Sequence, residues 1–276
     1  MRGRLLLTYL CFARGLQHDI SPQLHVSPTQ SERRCLLVDC LDQPPLPYAT
    51  VWRWQQSAVA EQIQRLRDGR ATHDTLIAAE HQPVCTLGVA SSTANVRFAI
   101  DSPSAPFPVV RVERGGEVTY HGPGQIVLYP ILDLRRHGQD LHAYLRSLEE
   151  VVIRATRSLG IESERVDGLT GVWFRGHKIA AVGVRVSRWV TMHGVSLNVD
   201  PCMDDYRHIV PCGIRDRPVG SLAQFRPGLD SATARRALLR AFEEVFDVRL
   251  EPSAELPLRA QLAGTVTSPE GAAWRP

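Results

Sequence analysis

Two residues invite a chemical reading. Cys212 stands between Pro211 and Gly213 in the run His208-Ile209-Val210-Pro211-Cys212-Gly213-Ile214, which reads as a tight exposed bend with no apolar periodicity. A thiolate attacks thioesters readily, and a nearby positive charge favours the thiolate. Lys178 is the only lysine beside 31 arginines. A GC-rich coding sequence accounts for the arginine excess, but a position that stays Lys points to proton chemistry that a guanidinium cannot supply. A small buried cysteine and a solvated turn lysine are the plainer readings, and spacing alone leaves them open.

Two further segments carry chemical potential. Arg114-Gly115-Gly116-Glu117-Val118-Thr119-Tyr120-His121-Gly122-Pro123-Gly124-Gln125 reads as a glycine-rich turn between strands. Its glycines let backbone approach a ligand and aim N–H groups at it. It matches neither a Walker loop nor the dinucleotide fingerprint, and a purely structural hairpin is the competing reading. Beyond Lys178, the small residues Ala180, Ala181 and Gly183 leave room beside a strand for something slender, such as an acyl chain.

Other chemistries find little support. The six cysteines form no C-x-x-C pair, and His208-x3-Cys212 is the nearest approach to zinc-ligand spacing. No G-x-S-x-G elbow occurs. The net charge of +3 resides entirely in residues 1–34, so the remainder is neutral and lacks the basic footprint of a nucleic-acid binder. No apolar run approaches the ~20 residues of a membrane span. Without a secretory signal, reduced thiols are expected.

The elements that must position these residues follow from pattern. Residues 1–34 are expected to be an N-terminal extension, either an organelle transit peptide or a ragged bacterial start. Strands are expected at 35–41, 75–79, 84–87, 109–113, 126–134, 171–175, 178–187 and 189–199, with a hairpin at Gly176-His177. Helices are expected at 50–67, 141–159 and 232–246, the last capped by Ser231. Residues 251–276 read as a mobile tail. Strands joined by hairpins, with helices between groups, predict an α+β fold with a mixed or antiparallel sheet.

The three motifs at 114–125, 176–199 and 210–214, in that order, resemble the octanoyltransferase (lipoyl(octanoyl) transferase) family over residues 35–247. VDGLTGVW at 166–173 and RDRPVGSL at 215–222 resemble its plastid and cyanobacterial branch. At Gly220 many bacterial members carry Thr instead.

The resemblance implies a biotin/lipoate protein ligase-like catalytic domain over 35–250, with a larger mixed sheet and a smaller sheet flanked by helices. It implies Cys212 as acyl-thioester nucleophile and Lys178 as its partner. It places substrate binding on Arg114, Gly115, Gly116, Glu117, Val118, Thr119, Tyr120 and His121, on Ala181, Val182 and Gly183, and on Gly194, Val195 and Ser196. The implied donor is octanoyl-acyl carrier protein. The implied acceptors are lipoyl domains of 2-oxoacid dehydrogenase E2 subunits and the glycine cleavage H protein. Neither cofactor nor metal is implied. The implied setting is an organelle matrix or a bacterial cytoplasm. An ATP-dependent ligase of the same fold and a non-catalytic acyl-carrier or lipoyl-domain binding module are the rival readings.

Overall fold

The structure is a computed structural model that describes residues 33–253. Most of the expected extension and tail therefore lies outside the described residues. The chain order is β1 (Arg33–Asp39), α1 (Tyr48–Arg67), β2 (Asp74–Ala79), β3 (Val84–Leu87), β4 (Val109–Arg111), β5 (Val118–His121), β6 (Gln125–Ile131) and α2 (Leu141–Ser158). There follow β7 (Glu164–Val166), β8 (Leu169–Phe174), β9 (His177–Ser187), β10 (Val190–Asn198), α3 (Leu222–Phe225), α4 (Ser231–Phe246) and β11 (Val248–Pro252).

Eight strands form one sheet in the order β11-β1-β2-β6-β10-β9-β8-β7, and β4-β3-β5 form a second. The large sheet is mixed: β11, β1 and β2 run parallel, and the pairs from β2 to β7 are antiparallel. This is the expected α+β architecture.

Sequence explains the layering. β2, β6 and β10 are buried along their whole length, as strands covered on both faces must be. The apolar stripe of α2, including Leu148, Val151, Val152 and Ala155, packs with α4 against Leu128, Val195 and Leu197. On the opposite face Val51, Trp54 and Ala58 of α1 cover Ile77, Val127 and Tyr129. α2 is capped by Asp140, whose carboxylate accepts from His142 and Ala143 N–H. No helix among the described residues is long and apolar enough to cross a membrane.

Several expectations need correction. The segment 114–125 is not only a turn, because Val118–His121 forms β5 and pairs with β3. β7 and β11 had no sequence-based expectation. The cap of α4 is Asp230, which accepts from Thr233 N–H, and Ser231 is the first helical residue. β1 begins at Arg33, so the last two residues assigned to the extension belong to the sheet. β11 likewise takes Glu251 and Pro252 from the expected tail.

Candidate functional site

Lys178 is the second residue of β9, just past the Arg175-Gly176 turn. Its backbone N–H donates to Pro218 O at 2.9 Å, and its carbonyl accepts from Gly220 N–H at 3.0 Å. The segment just downstream of Cys212 is thereby fastened to the lysine's own backbone. Gly220 is packed there so closely that a Cβ would stand 2.9 Å from the Cβ of His177. A Thr at this position would require that contact to give way.

Cys212 occupies a 3₁₀ turn, Pro211–Gly213, in the left-handed region with φ 56°. Gly213 N–H donates to Val210 O and Ile214 N–H to Pro211 O, both at 3.0 Å. Val210 is itself anchored by donating its N–H to Asn95 O at 2.7 Å. This geometry presents the thiol, and Lys178 Nζ donates to Cys212 Sγ at 3.1 Å. Lys178 is not a solvated turn residue: it is buried, with its ammonium 5.6 Å from the Trp173 ring centroid. Burial pushes the other core thiols up, Cys40 to about 11 and Cys85 to about 12, and Cys35 rises as well. All five described cysteines are free.

The pair opens onto a cavity of about 260 Å³. Ligand sites run from ~300 Å³ upward, so the space suits a slender group. Its wall includes Arg114, Gly116, Glu117, Thr119, His121, Ala181, Val182, Gly183, Gly194, Val195 and Ser196 from the sequence-derived set. Gly115, Val118 and Tyr120 stand apart from it. Strand alternation explains the last two: Thr119 and His121 face the cavity while Val118 and Tyr120 point into the small sheet's core. There the Tyr120 hydroxyl donates to Asp205. Gly115 N–H donates to Val184 O at 2.9 Å. The N–H groups of Gly115 and Gly213 are therefore already paired, and neither is available to hold an oxyanion.

Arg114 is a second buried cation of the site. Its guanidinium donates to the Gly115, Glu117 and Thr86 carbonyls and to the Thr86 hydroxyl. Burial pulls it below the usual arginine range. His121 is held neutral, pulled to about 3 by burial and then by neighbouring His81. Its Nδ1–H donates to Gln125 Oε1 at 2.6 Å, because the Gln125 amide donates to Tyr120 O, Asn198 Oδ1 and the Tyr206 hydroxyl. Asn198 in turn donates to Gly220 O at 3.0 Å. A satisfied polar chain thus runs from the cavity wall to the residue that fastens Lys178.

Sequence reasoning passed over Tyr48, Val127, Tyr129, Gly168, Leu169, Thr170, His193 and Ile214, which also line the cavity. Tyr48 is the first residue of α1 and stacks on His121 with ring centroids 5.9 Å apart. Only the tertiary fold brings it there. His193 adjoins the expected Gly194–Ser196, and an ionisable residue beside that stretch was a usable signal.

The lipoyl protein ligase A/B catalytic domain model matches residues 48–243. The octanoyltransferase of Thermosynechococcus vestitus is 49% identical over 209 residues, covering 76% of this chain and 90% of the relative. The octanoyltransferase of Nostoc punctiforme is 50% identical over 216 residues, with 78% and 90% covered. Octanoyltransferase LIP2p2, chloroplastic, of Arabidopsis thaliana is 44% identical over 238 residues, with 82% of each covered. Among solved structures, lipoate-protein ligase A bound with ATP superposes with a TM-score of 0.61 at 18% identity, covering 84% of this chain and 93% of that one. A bi-partite lipoate protein ligase from Thermoplasma acidophilum gives 0.61 at 17% identity, covering 84% and 91%. The structural matches speak to the fold.

Proposed function

The chain belongs to the octanoyltransferase family, built on the lipoyl protein ligase A/B catalytic domain, and from that premise we propose that Cys212 and Lys178 form its catalytic dyad. It is an acyltransferase that moves octanoyl groups in protein lipoylation. One observation carries the dyad: the 3.1 Å contact between Lys178 Nζ and Cys212 Sγ at a slender cavity.

In the proposed first step the Cys212 thiolate attacks the carbonyl carbon of octanoyl-acyl carrier protein. The new S–C bond forms, the carrier's C–S bond breaks, and the Lys178 ammonium gives its proton to the departing thiolate. In the second step the neutral ε-amine of a lipoyl-domain lysine attacks the octanoyl-Cys212 thioester. The S–C bond breaks, Lys178 takes the amine's proton, and the thiolate–ammonium pair returns beside an octanoyl amide. Exchange of thioester for thioester is near balance and thioester to amide is downhill, so no nucleotide enters.

Acceptors on this reading are lipoyl domains of 2-oxoacid dehydrogenase E2 subunits and the glycine cleavage H protein. Substrate contacts fall on the cavity-lining residues of 114–121, 181–183 and 194–196, with Arg114 as a second positive charge facing the thiolate. Cyanobacterial and chloroplastic relatives support work in a plastid or a bacterial cytoplasm. The test is incubation with octanoyl-acyl carrier protein, an acid quench and intact mass. An octanoyl adduct formed without ATP is expected; no adduct, or strict ATP dependence, overturns the reading.

A further inference from the structure

Cys212 is carried by a loop that leaves the large sheet after Asn198, the last residue of β10, and returns to it beside Lys178 through the Val219 bridge. The two sides of this loop are held by different partners. Upstream of the thiol, Arg97 N–H donates to His208 O at 2.8 Å and Val210 N–H to Asn95 O at 2.7 Å. Downstream, Pro218 and Gly220 are bonded to the backbone of Lys178.

One side chain joins the two sides. Asn198 Oδ1 accepts from the Tyr206 hydroxyl at 2.9 Å, upstream of Cys212. Asn198 Nδ2 donates to Gly220 O at 3.0 Å, downstream of it. Among the described residues no other side chain bonds to both stretches. Asn198 is 4% exposed and pairs with Gln125 across β10 and β6. The Gln125 amide donates to Asn198 Oδ1 at 2.8 Å and to the Tyr206 hydroxyl at 2.9 Å. The clasp is thereby fixed to the middle of the sheet.

The thiol needs such a hold. Cys212 has φ 56°, a left-handed conformation that a residue other than glycine keeps only where its surroundings enforce it. A second cavity of about 10 Å³ adjoins the dyad. Asn198, Tyr206, Pro211 and Val219 line it together with Lys178 and Cys212. Clasp, thiol and ammonium thus border one small space. A loop that lifts from Asn198 carries Sγ away from Nζ, because Lys178 stays on β9.

We propose that Asn198 is a positioning residue that pins both sides of the Cys212 loop and so sets the contact between thiol and ammonium. The proposal rests on the dyad reading. Asn198 touches neither reacting atom; it acts through Tyr206 on one side and Gly220 on the other. Tyr206→Phe is the clean variant, because Asn198 Oδ1 keeps the Gln125 amide and the ring keeps its edge contact with Tyr120. Only the tie is lost. Asn198→Leu is close in size and removes both ties.

Two readings on the full chain test this. The first is the rate of Cys212 acylation by octanoyl-acyl carrier protein, followed by mass. The second is the reaction with o-phthalaldehyde, which condenses with one amine and one thiol held side by side, loses two waters and leaves a fluorescent isoindole. Lys178 is the only lysine in the chain, and peptide mass locates the bridge to Cys212. Tyr206→Phe is expected to slow acylation roughly three- to tenfold and Asn198→Leu roughly 10–100-fold, as misplaced reacting groups do. Half-saturating donor should stay within about twofold of wild type, because the change falls on placement of the thiol rather than on binding. Isoindole formation should slow in step. Adding Tyr206→Phe to Asn198→Leu should cost nothing more, since the tie is already gone. Thr156→Val is the control: it breaks the buried Thr156–Ser163 hydroxyl pair, lines neither cavity, and should lower stability while leaving both rates alone. Wild-type acylation and isoindole rates in folded Tyr206→Phe overturn the clasp, as do independent, multiplying effects of the two substitutions. Wild type that forms the isoindole but takes no octanoyl adduct refutes the transfer reading and leaves the clasp standing.

Discussion

Gly171 of β8 lies against the side chain of Lys178. A Cβ built on it would stand 2.6 Å from Lys178 Cε, 3.2 Å from its Nζ and 2.6 Å from Ala180 O. Its φ of 122° is itself open to glycine alone. Its N–H donates to Glu149 Oε1 at 2.8 Å, which fixes the strand at that spot. The lysine is therefore aimed at Cys212 partly by the absence of a side chain across the hairpin.

Gly171→Ala should accordingly displace the ammonium. We expect octanoyl transfer to fall by roughly 10–100-fold, as misplacement of a reacting group does, together with a loss of about 1–3 kcal/mol from backbone strain. Steady-state transfer and denaturant unfolding measure the two effects separately. Wild-type activity in a folded Gly171→Ala protein would show that the lysine's position is set elsewhere.

Cys212→Ala should abolish the octanoyl adduct, while single replacements of Cys35, Cys40, Cys85 and Cys202 should leave it. The buried thiols of Cys35, Cys40 and Cys85 are held protonated by their surroundings. Intact mass after an acid quench reads the result, and an adduct that survives in Cys212→Ala ends the proposed mechanism.

Lys178 Nζ stands 3.1 Å from Cys212 Sγ, in direct contact with the reacting sulfur. Lys178→Ala should alkylate with iodoacetamide more slowly than wild type. Lys178→Arg keeps the charge but gives and takes protons poorly, so alkylation should survive in it better than turnover does. Identical alkylation profiles for wild type and Lys178→Ala would remove the lysine from thiol activation.

Stability should fall in mild acid. Burial holds His121 at about 3 and His81 at about 4, both below the ordinary 6.5. Below pH 6.5 the unfolded chain takes up protons that the folded one refuses. The stability these groups contribute is present above 6.5 and is lost as pH drops toward 4. Between pH 7.5 and 5 we expect Tm to decrease by roughly 5–10 °C, with a smaller decrease in His121→Gln. A flat Tm over that range would contradict neutral burial of the two rings.

The parts of this architecture that sequence revealed are those with a strong local signature. α2 and α4 have full apolar stripes, and Lys178 followed a turn signal at the head of a long strand. β5 escaped because its four residues sit inside a glycine-rich motif that reads as a turn. β7 is short and polar, and β11 abuts a proline-rich stretch, so neither offers a periodic run. The dyad could be named because each residue was unusual where it stood, a lone lysine and a cysteine between Pro and Gly. The rest of the cavity wall could not be. Tyr48 reaches it only through packing of α1 on the sheet, and His193 turns inward because it lies opposite Pro130 sixty-three residues earlier in sequence. Strand alternation alone gives no warning of that.

β1 and β11 lie side by side and parallel at one edge of the large sheet, with Arg33 opposite Val248 and Leu37 opposite Pro252. No cavity residue comes from either strand. Because the two strands are parallel, the end of β11 lies beside Leu37 and a strand length away from the start of β1. The acyl site, built from the middle of the sheet, draws nothing from this edge, so substitutions along β1 and β11 should be felt in unfolding and leave the chemistry at Cys212 alone.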